Sequence, residues 1–444
     1  MCNKSLLVIL FCTLSGIVLA VAQDSVQPAL DSPNFSEGSS TMTAINDLGT
    51  GSYTPSVNSS GALCNGSNGC NAVSFQAGLY PGGANTAPAS HDTDGRTLAA
   101  GIHSRQSSTA PAVLLCVGFS NLKSECGQMI SDYRANTNTN QTSLKFLNAG
   151  QSGAEVCDWT QATGIPTCTI PGGAKAFNAY DTTKQGTLVP AGVSESQVTV
   201  LLAKMADQFP EESSTYNNTL PCTGNGTPSG TYFLYGKSAS PQPCKTQAEV
   251  YYFESQLGKM VRAAKQRYTN LQQILFYSRI YGGYATAPFP SLPGGNCGTV
   301  QCATVPERYS YEEGFAVKWL IAAQITQCPN PVVGTTNTCS KTPGDSFAGS
   351  LSYGNGATDC NGGPCGVWIG WASYIWANGT TARLDGLDWC DGQTAAPCSG
   401  EQDFQSDGNH PSTVGLEKVA SCTDTWGECS FFLNSAYTSP WFHK

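Results

Sequence analysis

Continuous apolar runs alternate along this chain with stretches of helical periodicity. Residues 112–118 (Ala-Val-Leu-Leu-Cys-Val-Gly) are apolar throughout and run into Phe119-Ser120-Asn121. A run of that length bounded by turn residues predicts a strand buried on both faces of a parallel sheet. Residues 143–147, 197–203, 271–280 and 366–371 read as further strands. Between them, 246–268 carries Val250, Phe253, Leu257 and Val261 at helical spacing, and 311–325 and 411–432 also read as helices. Pro411 lies near the start of the last one. Strands alternating with helices predict an α/β fold, three layers deep, around a mostly parallel sheet.

The stretches outside this pattern are loops. Residues 23–75 are rich in Ser, Thr, Gly and Asn and read as a tail or extended wrap, and 210–245 form a Gly/Pro/Thr-rich loop. The first 22 residues resemble a secretory signal, with Lys4, an apolar stretch from Leu6 to Val21, and Leu19-Ala20-Val21-Ala22 before Gln23. The competing reading, a membrane anchor, is disfavoured by the short run and by Gly16 within it. The organisation expected is a signal at 1–22, an N-terminal extension at 23–107 and one principal domain at 108–444, exported to the outside or to a periplasm.

Cysteine usage fits export. Without Cys2 and Cys12, eighteen of the 20 cysteines remain, an even number. Proximity pairs Cys64/Cys70, Cys116/Cys126, Cys157/Cys168, Cys222/Cys244, Cys297/Cys302, Cys328/Cys339, Cys360/Cys365, Cys390/Cys398 and Cys422/Cys429 as staples of loop insertions. Zinc is the rival, but no two short-spaced hooks frame a finger. Asn34, Asn58, Asn65, Asn140, Asn217, Asn225 and Asn378 head glycosylation sequons. A net charge of -9 argues against a nucleic-acid partner, and four His in the whole chain leave little for a histidine metal centre. Past the signal, no run is long enough to span a bilayer.

In open parallel sheets, ligands sit at the carboxyl ends of the strands, so the residues there carry the candidate chemistry. Ser120 follows the first strand, at the turn into a helix whose N–H groups and dipole face it. Gly150 follows the second, where a missing side chain lets a backbone N–H approach a developing oxyanion. Near the C-terminus, Asp407 and His410 stand three apart before Pro411, a spacing that lets the carboxylate reach the imidazole.

In this order the motifs resemble those of the SGNH hydrolases, the GDSL-type esterases and lipases. Gly118-Phe119-Ser120-Asn121 stands at the family's first block, with Phe119 for its Asp; Gly150 matches the second, and Asp407, His410 and Pro411 match the last. The resemblance covers roughly residues 108–432, and the stretches at 80–85, 278–285 and 311–319 look like those of secreted members with a Gly-x-Ser-Asn block. It implies a flavodoxin-like SGNH fold and a serine esterase that uses no metal or cofactor. Ser120 would be nucleophile, His410 base and Asp407 its orienter, with the N–H groups of Ser120 and Gly150 in the oxyanion hole. The four-His inventory points the same way, since His91 and His103 lie before the first strand and His443 is next to the C-terminus.

The family's third block should place an Asn after the third strand, and this chain has Ala203-Lys204-Met205-Ala206-Asp207. Either Lys204 supplies the oxyanion donor, or it is a solvated residue and the hole has two donors; Asn121 is a further candidate. Arg279 would meet a substrate anion or pair with Glu312 or Glu313. Trp371, with Trp368, Tyr374 and Trp376, would pack in the core or offer a substrate-binding platform. Asp385, Asp388, Glu401 and Asp403 form an acidic stretch without a calcium-loop spacing. The expected substrate is a small-molecule or polysaccharide O-acyl ester, such as a carbohydrate acetate. The alternative is a non-catalytic carbohydrate-binding protein on the same fold.

Overall fold

The structure is a computed structural model, and it describes residues 42–53, 75–167, 177–206, 249–284, 309–327, 347–353 and 364–444. In chain order the elements are β1 (Ser52–Tyr53), β2 (Phe75–Gln76), α1 (Ala89–Arg105), β3 (Ala112–Gly118), α2 (Ser120–Ala135), β4 (Leu144–Gly150), α3 (Ala179–Thr183) and β5 (Val198–Lys204). There follow α4 (Glu249–Arg267), β6 (Gln273–Phe276), α5 (Tyr309–Thr326), β7 (Trp368–Trp371), α6 (Thr413–Ala420), α7 (Glu428–Asn434) and α8 (Ser439–Phe442).

β1 and β2 pair antiparallel. The other five strands form one sheet, all parallel, in the order β4-β3-β5-β6-β7. Counted along the chain this is 2-1-3-4-5, a doubly wound order whose direction of winding reverses at the first strand. α1 packs on α8, α8 on α7, and α6 and α7 on α2, while α4 and α5 pack on each other. These helices flank the sheet in a three-layer α/β/α arrangement.

The apolar pattern explains the elements. All seven residues of β3 are buried, as the unbroken apolar run requires of a central strand. On α4 the predicted stripe of Val250, Phe253, Leu257 and Val261 is buried against the core. Each such side chain contributes about 1.5–3 kcal/mol through burial. β7 is an edge strand, and side chains occupy its open side: the Gln324 amide oxygen accepts from Ile369 N–H at 2.8 Å, and His91 Nε2 meets Ile369 O at 2.8 Å. Burial holds the His91 pKa below its ordinary value, although the Ile369 carbonyl opposes this, so a neutral ring donates there.

Two expectations change. The stretch 411–432 is two helices, because Ser421 Oγ accepts from Thr423 and Asp424 N–H and so ends α6 with a local turn. Of 271–280 only Gln273–Phe276 is strand. Within the stretch read as an extension, α1 lies against the sheet, where a Cβ on Gly95 would stand 2.4 Å from the Trp368 ring. Cys116–Cys126, Cys390–Cys398 and Cys422–Cys429 are disulfides. The pairs Cys64/Cys70, Cys222/Cys244, Cys297/Cys302 and Cys328/Cys339 lie outside the described residues, as do Cys168, Cys360 and the segment 1–22. Among the described residues no helix is long and apolar enough to cross a membrane.

Candidate active site

β3 and β4 end in register at Gly118 and Gly150. Both glycines are set by close approach. A Cβ on Gly118 would stand 2.0 Å from the Lys204 carbonyl oxygen, and one on Gly150 2.5 Å from Lys123 Cα. Only without those side chains can the first turn of α2 seat on the strand ends. Phe119 then caps α2 with an extended backbone and no side-chain hydrogen bond. The first N–H groups of the helix, at Ser120, Asn121 and Leu122, therefore carry no intrahelical bond and mark its positive end. Ser120, half-buried, stands at that end.

The partner residues come from a hairpin-like loop. Phe404 and Pro411 bridge antiparallel, Gln405 N–H donates to His410 O at 2.8 Å, and Ser412 N–H to Asp403 O at 2.7 Å. The Ser412 hydroxyl then accepts from Val414 and Gly415 N–H and starts α6. At the tip, His410 Nε2 lies 2.9 Å from Ser120 Oγ, and His410 Nδ1 lies 2.6 Å from Asp407 Oδ2. Asp407 Oδ1 accepts from the N–H groups of Asn409 and His410, both at 3.0 Å. Residues 290 apart in sequence thus form one hydrogen-bonded relay.

Partial burial pushes the Asp407 carboxyl up, but the bonds from His410 and Asn409 outweigh it and hold the group below its ordinary value. It is therefore an ionised acceptor, and it takes a hydrogen bond from an N–H at His410 Nδ1. Nε2 is left to accept from the Ser120 hydroxyl. That arrangement can draw a proton from a serine as it attacks.

Compared with protein-family models, curated proteins and solved structures, the chain finds no match.

The other candidates are placed differently. Lys204 is neither solvated nor free: it is buried, with Nζ 2.6 Å from Glu125 Oε1, and Tyr277 donates to the second oxygen of that carboxylate at 2.6 Å. Burial holds the Lys204 pKa below its ordinary value, while Glu125 opposes that shift. The Gly150 N–H donates to Asn148 Oδ1 at 3.0 Å, so its visible role is the close seating of α2. Asn121 is buried, and its Nδ2 donates to the Asn409 carbonyl at 3.0 Å. Arg279 is buried and pairs with Glu313 at 2.8 Å, its guanidinium 5.6 Å from the centre of the Phe119 ring. Trp371 is buried and donates to Leu79 O at 2.8 Å; Trp368, Tyr374 and Trp376 are also buried. None of these four aromatics offers a platform to a sugar.

The acidic stretch already holds a cation. Lys418 Nζ lies 2.6 Å from Asp403, 2.9 Å from Glu401 and 3.3 Å from Asp388. Cys390, beside them, is tied to Cys398 and is no metal ligand. Its N–H donates to Asp403 Oδ2 at 2.7 Å, so this disulfide and Lys418 together anchor the base of the loop that carries Asp407 and His410.

Sequence reasoning passed over Glu125 and Lys418. Glu125 had a legible signal: with Leu122, Cys126, Met129 and Tyr133 it falls on the apolar stripe of α2, where a charge requires a buried partner.

Proposed function

We propose that the chain is a secreted serine hydrolase of SGNH type that cleaves carboxylic esters. The observation that carries this reading is the Ser120–His410–Asp407 relay at the carboxyl end of a central parallel strand. The resemblance of the motifs around these residues supports it.

Ser120 Oγ attacks the ester carbonyl while His410 Nε2 takes its proton. The imidazolium is stabilised by Asp407 and returns that proton to the leaving alkoxide. Water, deprotonated by the same nitrogen, then releases the acid from the acyl-serine. The tetrahedral oxyanion lies against the open N–H groups at the start of α2, chiefly that of Ser120 itself. With Lys204 bound to Glu125 and Gly150 N–H bound to Asn148, the uncapped helix end is the best source of oxyanion donors among the described residues. An O-acyl ester of a small molecule or polysaccharide, such as an acetate, is the substrate class the resemblance implies. The four buried aromatics give the carbohydrate-binding alternative no support.

The test is hydrolysis of p-nitrophenyl acetate and labelling by a fluorophosphonate. The native protein is expected to turn over and to be labelled at Ser120. Ser120→Ala should lower activity on the order of 10⁴-fold or more with its fold intact by circular dichroism. A native protein that neither turns over nor is labelled would refute the hydrolase reading, and full activity in Ser120→Ala would refute the site.

A further inference from the structure

We infer that Asn121 is a positioning residue that holds His410 in register with the nucleophile; this rests on the hydrolase reading above. The peptide unit between Asn409 and His410 is held at both ends. Its N–H donates to Asp407 Oδ1 at 3.0 Å, and its carbonyl accepts from Asn121 Nδ2 at 3.0 Å. The first partner belongs to the loop itself. The second belongs to the helix that begins with Ser120, one residue before Asn121.

This placement gives the bond a purpose that loop packing does not. His410 and Ser120 come from distant parts of the chain, and their side chains meet across 2.9 Å. The loop of His410 is anchored at its base by Cys390, Asp403 and Lys418. At its tip, Asn121 provides a tether to α2 that involves neither reacting side chain. Asn121 is 1% exposed, so little water competes for its amide N–H while the loop is seated. It fixes the peptide unit that leads into His410 Cα, leaving the ring itself free to accept and return a proton. A displacement of about 1 Å at such a point costs on the order of 10²-fold in rate.

The position explains why an amide, and not an apolar residue, follows the serine. A leucine there would leave the Asn409 carbonyl without its donor and the loop without its link to the helix. Asp in place of Asn keeps the shape but removes the donor, and it sets a carboxylate against a carbonyl oxygen.

The experiment compares Asn121→Ala and Asn121→Asp with the native protein in three measurements. Amide hydrogen exchange of peptides covering 405–411 should speed up at least several-fold in both variants, while exchange in β3 and β5 stays unchanged. The kcat for p-nitrophenyl acetate should fall on the order of 10–100-fold with KM within about two-fold. Fluorophosphonate labelling at Ser120 should slow by the same factor. Unchanged exchange in 405–411 would overturn the tether, and faster exchange with undiminished kcat and labelling would overturn the positioning role. If Asn121→Ala fails to fold, the isosteric Asn121→Asp decides. Absence of turnover and labelling in the native protein would instead sink the hydrolase reading, and with it the catalytic purpose of the tether.

Discussion

The ends of β3 and β5 lie side by side, Gly118 opposite Lys204, and each carries a residue whose chemistry suits a reaction. They have met opposite fates. At the end of β3, Ser120 is half-buried, and its partners His410 and Asp407 keep 31% and 40% of their side-chain surface in contact with solvent. At the end of β5, Lys204 keeps 1% and faces Glu125, which keeps none. The deciding residue is on α2, which contributes Ser120 from its first position and Glu125 from its inward face. Position at a strand end brings a side chain to the region of a site; the charge facing it from the next layer decides whether it is offered to a ligand or used to hold the layers together. Arg279, after β6, repeats the second outcome with Glu313.

The sharpest way to break this contrast is Lys204→Met. Among the described residues it leaves Glu125 in the interior with the Tyr277 hydroxyl as its hydrogen-bond partner, and it should cost about 3–5 kcal/mol in chemical denaturation. Adding Glu125→Leu to it should recover most of that loss, since an apolar pair of similar volume replaces two desolvated charges. In both proteins the folded fraction should still be labelled by a fluorophosphonate. A Lys204→Met variant of native stability that no longer reacts would return Lys204 to the oxyanion role.

The same contrast explains what was legible beforehand. The strand β3 was readable to the residue because a strand buried on both faces has no polar positions to confuse the pattern. That Ser120, Asp407 and His410 would meet was expected from the order of the motifs and the resemblance they carry, with the scarcity of histidine favouring His410. Lys204 was not readable, since a lysine reads alike whether its partner is water or a carboxylate 79 residues away. α1 was missed for another reason: its buried face is His91, Gly95, Ala99 and Ile102, too small and too polar to show helical periodicity. The break between α6 and α7 was hidden because Ser421 acts through a local hydrogen-bonded turn that hydropathy does not register.

A smaller effect separates the two strand ends again. The Cys116–Cys126 disulfide joins β3 to α2 across Ser120, closing a short loop with that serine inside it. Both sulfurs belong to fully buried residues. Replacing both cysteines by alanine should cost about 2–3 kcal/mol, in the range for a loop of this length. Labelling of Ser120 should slow as the elbow loosens, while the Lys204–Glu125 pair, made by α2 further along, should keep the helix on the sheet. A double variant of native stability and native labelling rate would show that the ion pair alone fixes the elbow.

The finest comparison is between two aspartates of the loop that carries His410. Asp407 is held below its ordinary value, so its contribution to stability is present above about pH 4 and is lost as pH falls through the depressed folded value. The melting-temperature advantage of the native protein over Asp407→Asn should therefore be fullest near neutrality and shrink in acid. Asp403, four residues earlier, is pushed up to about 6 by burial, against the pull of Lys418. Its sign is the reverse: the contribution is full below about pH 4 and is lost as pH rises through about 6. Relative to Asp403→Asn, the native protein should gain stability as pH falls from 7 towards 4. Melting curves of the two variants at a series of pH values should give gaps of opposite slope. Parallel slopes would mean that Asp403 stays ionised beside Lys418, and that the base of the loop is an ion pair throughout.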